Sequence, residues 1–371
     1  MMAPHSTLAL RRFLCSGNGA ASALDAAAVR KKNLVFLGSP QVSASVLHKL
    51  LAASEDPDSI FQVMLQAIVT QPPAARDRGR KLMPSAVAQL ALERGFPREL
   101  IFTPERAAEV AFLSNLSALN PELCITAAYG NILPQKFLDI PSCGTVNIHP
   151  SLLPQYRGAA PVQRALQDGV TETGVSLAYT VRALDAGPVI AYEKVKVDEC
   201  IKATELLAIL FNSAGAELLL HELPSILNGS AKLKARPQDD SKATFAPKLT
   251  SEESWLSFDE EAKRIHNKVR AFAGWPGTRA RVEVVNNVGY HNELEIKIIT
   301  SGVCSNACNK ASDGNEILFS GSALLIPCAG ESWLEVLELQ LPGKKVMTAR
   351  DFWNGLRGQK LRKINWKGVT Q

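Results

Sequence analysis

Thr145-Val146-Asn147-Ile148-His149-Pro150-Ser151-Leu152-Leu153-Pro154-Gln155-Tyr156-Arg157-Gly158-Ala159-Ala160-Pro161 reads as a short strand that stops at Pro150 and opens into a turn carrying Gly158. Side chains of a strand alternate between faces, so Asn147 and His149 project together from one face at its carboxyl end. Pro150 cannot donate to a sheet ladder, and Leu152, Leu153 and Pro154 make an apolar shelf before the polar turn.

Working outward, apolar runs at 33–37, 61–69 and 123–128 precede this strand, and β-rich runs at 174–181 and 189–197 follow it. Helical periodicity begins at Val46, Leu47, Leu50 and Leu51 and recurs over 84–94 and 104–119. Strands alternating with helices predict an α/β fold, a doubly wound and mostly parallel sheet, over residues 33–228. Ligands of such sheets bind beyond the carboxyl ends of the strands, where Asn147 and His149 stand. A helix over 203–223 closes the domain at Pro224. The polar stretch 229–249, with Gly229, Pro237 and Pro247, reads as a linker. Residues 250–371 offer a helix at 259–272 and then short β-rich runs at 280–285, 294–300, 316–319, 323–327 and 333–341. That spacing predicts a smaller, OB-like β-barrel domain.

Composition bounds the possibilities. A chain of 371 residues, 46% hydrophobic and 21% charged, fits two globular domains and excludes disordered and collagen-like classes. No run reaches the ~18 consecutive apolar residues of a membrane span, so no membrane partner is expected. Seven cysteines, odd in number and scattered, imply no disulfide framework. Cys304 and Cys308 stand four apart without a second ligand pair, so no metal is expected. The formal charge of +5 is concentrated in residues 1–32, which carry +4; the remainder has 36 basic and 35 acidic residues. Bulk charge is therefore no argument for nucleic acid. In that first segment Leu8, Leu10, Phe13 and Leu14 surround Arg11 and Arg12, and an Ala/Ser-rich stretch follows with Asp25 as its one acid. This is the composition of a transit peptide, with the mitochondrial matrix as the expected destination and a plastid as the alternative; an ordinary disordered terminus is the competing reading.

Transfer of an acyl group to an amine needs a donor for the tetrahedral oxyanion and a group that moves the amine's proton. The Asn147 amide can supply the first and the His149 imidazole, which titrates near neutrality, the second. Asp185, in the turn Asp185-Ala186-Gly187-Pro188 before the next strand, can orient the imidazole or take a proton. On pattern alone the same residues also describe a hydrogen-bonded polar pair and an ordinary turn. Gly38-Ser39-Pro40 follows a strand, but one glycine is not the three-glycine dinucleotide fingerprint, so NAD is not expected there.

Asn147-x-His149 followed by Ser-Leu-Leu-Pro and Tyr-Arg-Gly-Ala-Ala-Pro, with the later Leu184-Asp185-Ala186-Gly187, resembles the signature of the folate-dependent formyltransferase family. The resemblance implies Asn147, His149 and Asp185 as the catalytic trio and 10-formyltetrahydrofolate as the formyl donor. It implies that Ser151, Leu152, Leu153 and Pro154 line the folate pocket and that Tyr129 and Gly130, within 123–133, belong to its pterin-side wall. Residues 70–84 resemble the long basic loop of the branch whose acceptor is initiator methionyl-tRNA, which implies that Arg76, Arg78, Arg80 and Lys81 grip the acceptor stem, Arg78 foremost. The middle of this loop departs from the bacterial pattern, reading Pro73-Ala74-Ala75-Arg76-Asp77-Arg78 where Asp-Arg-Pro-Ala-Gly-Arg is usual. Ala246-Pro247-Lys248-Leu249, Arg270-Ala271-Phe272, Trp275-Pro276 and Pro342-Gly343-Lys344-Lys345 resemble the family's C-terminal domain. Lys344 and Lys345, with the basic tail of Arg357, Lys360, Arg362, Lys363 and Lys367, would face an RNA backbone. The expectation is a monomer that formylates the α-amine of methionyl-initiator-tRNA for organellar translation initiation. Alternatives are a formyltransferase or hydrolase acting on an amino sugar nucleotide or another small amine, and a non-catalytic RNA-binding or folate-sensing protein.

Overall fold

The computed structural model describes residues 32–55, 63–75, 81–286, 288–304 and 314–364. Its first half is built on β1 (Lys32–Gly38), α1 (Gln41–Glu55), β2 (Val63–Val69), a small hairpin of β3 (Ala74–Ala75) and β4 (Leu82–Met83), α2 (Ala86–Glu93), β5 (Ile101–Phe102), α3 (Val110–Ala118) and β6 (Leu123–Ala127). There follow α4 (Gln135–Leu138), β7 (Thr145–His149), β8 (Arg157–Gly158), α5 (Pro161–Asp168), β9 (Glu172–Tyr179) and β10 (Val189–Lys196). Seven of these strands form one sheet in the order β10-β9-β7-β6-β1-β2-β5. The five strands from β5 to β7 run parallel, and β9 is antiparallel to both of its neighbours. Winding proceeds outward from β1 in both directions, so the carboxyl ends of β1, β6 and β7 share one edge. Leu34, Phe36, Leu123, Ile125, Val146 and Ile148 supply the core under one face, and Val35, Leu37 and Cys124 pack with Phe112 and Phe137 under the other. A strand buried on both faces reads as a continuous apolar run, which is why β1 and β6 were legible.

The helix expected to stop at Pro224 continues to Leu227. It runs as α6 (Ala203–Ala208), a π-helical turn (Ile209–Gly215) and α7 (Ala216–Leu227), with Pro224 inside α7. Leu223 and Ile226 flank Pro224 and are 1% exposed, so packing on both sides outweighs the lost N–H. By length and composition alone this helix passes for a membrane span. Its Leu206, Leu210, Phe211 and Leu219 are nevertheless built into the core. The π-turn sets Gly215 against Ile148 and Val175, beneath the strand that carries the candidate site.

The segment read as a linker carries α8 (Ser230–Lys234) and β11 (Phe245–Ala246), which pairs with β8. Beyond it come α9 (Ala262–Ala271), β12 (Thr278–Val285), β13 (His291–Val303), β14 (Glu316–Ser320), β15 (Ala323–Pro327), β16 (Trp333–Gln340), β17 (Val346–Thr348), α10 (Ala349–Gly355) and β18 (Lys360–Ile364). The order β13-β12-β18-β14-β15-β16, closed by pairing of β13 with β16, is a six-stranded antiparallel barrel. The basic residues expected in a C-terminal tail are partly corrected here. Lys360, Arg362 and Lys363 belong to β18, whose Leu361 is fully buried, and Lys363 Nζ donates to Pro327 O at 2.9 Å. Lys367 lies outside the described residues.

Polar groups seat the barrel on the first domain. Arg164 of α5 holds Glu253 through two bonds of 2.6 and 3.1 Å, and the guanidinium keeps that carboxyl below its ordinary range. On α9, His266 donates from Nε2 to Glu199 O and accepts at Nδ1 from Ser301 Oγ, both at 3.0 Å. Arg270 donates to Asp198 O at 3.0 Å.

Candidate active site

The site begins with the register of β7. Val146 and Ile148, 0% and 2% exposed, fix one face of this strand in the core, so Asn147 and His149 must use the other. Asn147 stands opposite Thr126 of β6, and His149 opposite Ser176 of β9. The Thr126 hydroxyl donates to Asn147 Oδ1 at 2.8 Å. With its oxygen occupied, the amide keeps Nδ2 as its outward chemistry, and among the described residues Nδ2 has no acceptor.

His149 is flanked on both sides. Nε2 lies 3.0 Å from Tyr156 O, and because a carbonyl only accepts, the ring proton resides on Nε2. The neutral ring therefore turns an Nδ1 lone pair toward Asp185, whose Oδ2 is 3.7 Å away. That gap is too long for a hydrogen bond. Asp185 Oδ2 accepts instead from the Gly158 N–H at 2.8 Å. Burial pushes the His149 pKa below its ordinary value; the nearby Asp185 charge and the bond to Tyr156 oppose this and are outweighed. The pair is thus poised to take up one proton, which would place an imidazolium beside a carboxylate.

The turn that brings Asp185 here is strained. Asp185 has φ +47° and Tyr156 φ +58°, left-handed conformations that non-glycine residues hold only when their surroundings over-determine them. Gly187 closes the turn against β9, and a Cβ there would overlap the backbone oxygen of Tyr179. Gly187→Ala is expected to cost roughly 1–3 kcal/mol by overpacking and to move Asp185 away from His149. Denaturant unfolding and a turnover assay on the same sample check both effects.

The residues expected to meet a ligand differ in exposure. Ser151 is fully buried and its hydroxyl donates to Gln155 O at 2.6 Å, so its side chain is engaged within the loop. Tyr129, 4% exposed, sends its ring into the core beside Phe112 and Phe137. Only its backbone faces the strand edge, where its carbonyl accepts from Gln71 Nε2 at 3.1 Å. Gly130 is exposed with φ +87°, and Leu152, Leu153 and Pro154 are half-buried. Lys81 is exposed at the foot of the β3–β4 hairpin, and Lys344 and Lys345 are exposed on the β16–β17 connection. Arg76, Arg78 and Arg80 lie outside the described residues, as does Cys308. Among the described residues no three His, Cys, Asp or Glu side chains are grouped to hold a metal. A cavity of about 450 Å³ between α1, α2 and the π-turn, lined by His48, Gln89 and Asn212, contains none of the site residues.

Sequence reasoning missed Thr126, Arg157, Gln238 and Thr244. Thr126 was recoverable in principle, being the β6 position whose alternation faces Asn147. Gln238 and Thr244 are polar residues of a polar stretch and carry no local signal.

A family model described as "Formyl transferase" matches residues 32–220, and one described as "Formyl transferase, C-terminal domain" matches 248–357. The chain belongs to the formyl transferase family. Methionyl-tRNA formyltransferase of Kosmotoga olearia is 34% identical over 326 residues, 88% of this chain and 96% of that protein. The enzyme of the same name from Pelobacter propionicus is 35% identical over 324 residues, 87% and 93% of the two chains. Among solved structures, this formyl transferase shares its fold with the N-formyltransferase from Helicobacter canadensis in complex with folinic acid and dTDP-3-aminofucose. That match has TM-score 0.56 and 16% identity and covers 83% of this chain and 99% of that one. HypX from Aquifex aeolicus in complex with tetrahydrofolic acid gives TM-score 0.54 at 16% identity, covering 88% and 47%.

Proposed function

We propose that this formyl transferase moves the formyl group of 10-formyltetrahydrofolate to the α-amine of methionine on initiator tRNA, and that it does so in the mitochondrial matrix. The observation that carries the acceptor is the 34–35% identity, across at least 87% of the chain, to proteins named methionyl-tRNA formyltransferase. An amino sugar acceptor is not favoured, because likeness to the sugar enzymes stands at 16–17% identity and speaks for fold alone. Localisation rests on the composition of residues 1–32, all but the last of which precede the part matched by the family models.

The residues present suit a reduced folate. The half-buried Leu152-Leu153-Pro154 shelf offers apolar contact, and the exposed backbone at Ala128 and Gly130 offers groups for a heterocycle's polar edge. The donor supplies an activated formyl carbon. As the amine nitrogen bonds to that carbon, its proton goes to His149 Nδ1, and the charge formed is balanced by Asp185 Oδ2. Asn147 Nδ2 donates to the oxyanion of the tetrahedral species. Collapse breaks the bond from the formyl carbon to the donor nitrogen, which takes back one proton. Lys81, Lys344, Lys345 and the arginines at 76, 78 and 80 supply phosphate contacts.

The acceptor is tested by offering methionyl-tRNA, free methionine and an amino sugar nucleotide with 10-formyltetrahydrofolate. Methionyl-tRNA is expected to be formylated with a kcat/KM at least about 1,000-fold above the others, the scale of discrimination when buried groups go unpaired with a wrong substrate. Preference for the sugar nucleotide would reverse the assignment. Import of residues 1–32 fused to a reporter into isolated mitochondria checks the location.

A further inference from the structure

We propose that residues 236–246 form a strap that positions the reacting pair, Gln238 holding the Asp185 turn and Thr244 holding Tyr156, on whose carbonyl His149 rests. Gln238 spends its whole amide on this task. Nε2 donates one proton to Asp185 O and the other to Gly187 O, both at 2.7 Å. Its Oε1 accepts from Arg157 Nε at 2.9 Å, and that guanidinium, 5% exposed as a residue, is anchored by Asp240 Oδ1 at 2.7 Å. An arginine facing Oε1 and two carbonyls facing Nε2 leave one orientation of the amide satisfied.

The second clamp is Thr244. Its Oγ1 accepts from Tyr156 N at 2.8 Å, its carbonyl accepts from Arg157 N at 2.9 Å, and its own N–H donates to Pro154 O at 3.3 Å. A backbone bridge between Arg236 and Val189, 2.8 Å in each direction, ties the start of the strap to β10. Tyr156 and Asp185, the strained residues on either side of His149, are therefore the two that the strap grips. Without it each would relax toward an ordinary conformation, and the separation of His149 from Asp185 would change. Among the described residues, the charged groups bonded into this network are Asp185 itself, the Arg157–Asp240 ion pair, and Asp168, which accepts from the Tyr156 hydroxyl.

This inference rests on the reading of His149 and Asp185 as the reacting pair, and it makes Gln238 and Thr244 positioning residues. The test uses the full chain carrying Gln238→Ala, Gln238→Glu or, separately, Thr244→Val, which removes one hydroxyl from an exposed residue and leaves the fold intact. Misplacement by a fraction of an ångström to about 1 Å costs up to about 100-fold in rate. Each variant is expected to lose about 10- to 100-fold in kcat, with KM for donor and acceptor within about twofold of wild type. Gln238→Glu is expected to behave like Gln238→Ala in rate, since a carboxylate has no proton for the two carbonyls. The acid limb of the kcat profile is expected to move to lower pH in Gln238→Ala and Thr244→Val, because each loosens a contact that favours protonated His149, whereas in Gln238→Glu the added carboxylate opposes that shift. Wild-type kcat and pH profile in Gln238→Ala and Thr244→Val would overturn the strap, as would a loss accounted for by unfolded protein in thermal melts. If His149→Ala itself is fully active, the reading beneath the proposal fails; if only the strap variants are active, the strap alone fails.

Discussion

Replacing His149 with alanine is expected to lower kcat for formyl transfer by about 100- to 10,000-fold, the range for loss of a positioned acid–base group. The argument is one of proton location. Tyr156 O fixes the ring proton on Nε2, which leaves Nδ1 as the site that can receive the amine proton. Truncation also leaves the half-buried Tyr156 carbonyl without its donor, so some stability is lost with it. Circular dichroism and folate binding separate the two effects: folate is still bound while turnover collapses. His149→Gln restores a donor to Tyr156 O without a base and is expected to recover stability but not rate.

Asn147→Ala is expected to cost about 100- to 1,000-fold in kcat, as removal of one oxyanion donor does elsewhere. Its effect falls on kcat and kcat/KM alike, because the bond strengthens only as charge develops. Thr126→Val probes the same donor one step back. With Oδ1 no longer held at 2.8 Å, the amide can rotate, and a smaller loss of about tenfold is expected. Steady-state rates at saturating donor and acceptor measure both variants; a Thr126→Val enzyme more impaired than Asn147→Ala would contradict this ordering.

Much of this site was legible from the chain itself, for definite reasons. Buried parallel strands announce themselves as apolar runs, so β1, β6 and β7 were placed within a residue or two. Alternation then put Asn147 and His149 on one face without knowledge of any partner. Asp185 was visible through the turn residues around it, although its left-handed backbone was not. What escaped was everything set by long-range pairing. Ser151 lies beside the shelf in sequence, yet Ser176, 25 residues away, donates to its carbonyl at 2.7 Å and locks the loop inward. Lys360 to Lys363 look like a solvated basic run, and only pairing with β12 and β14 makes them a barrel strand. Gln238, with Pro237 before it and two aspartates after it, has the local composition of a linker, and its role follows from an arginine 81 positions earlier.

The most direct test is the single-turnover rate of formyl transfer to methionyl-tRNA between about pH 4 and 8, in the wild type and in Asp185→Asn. On the proposed mechanism neutral His149 is the active form and its pKa sits below the ordinary 6.5, so the wild-type rate, divided by the fraction of methionyl-tRNA whose α-amine is unprotonated at each pH, should hold through neutrality and fall as pH drops through that lowered value. Asp185→Asn removes the charge that favours the protonated ring; the rate should fall and the midpoint of the acid limb should move lower still. A wild-type rate without an acid limb, or a midpoint that stays put or rises in Asp185→Asn, would contradict the pairing of His149 with Asp185 as the proton acceptor.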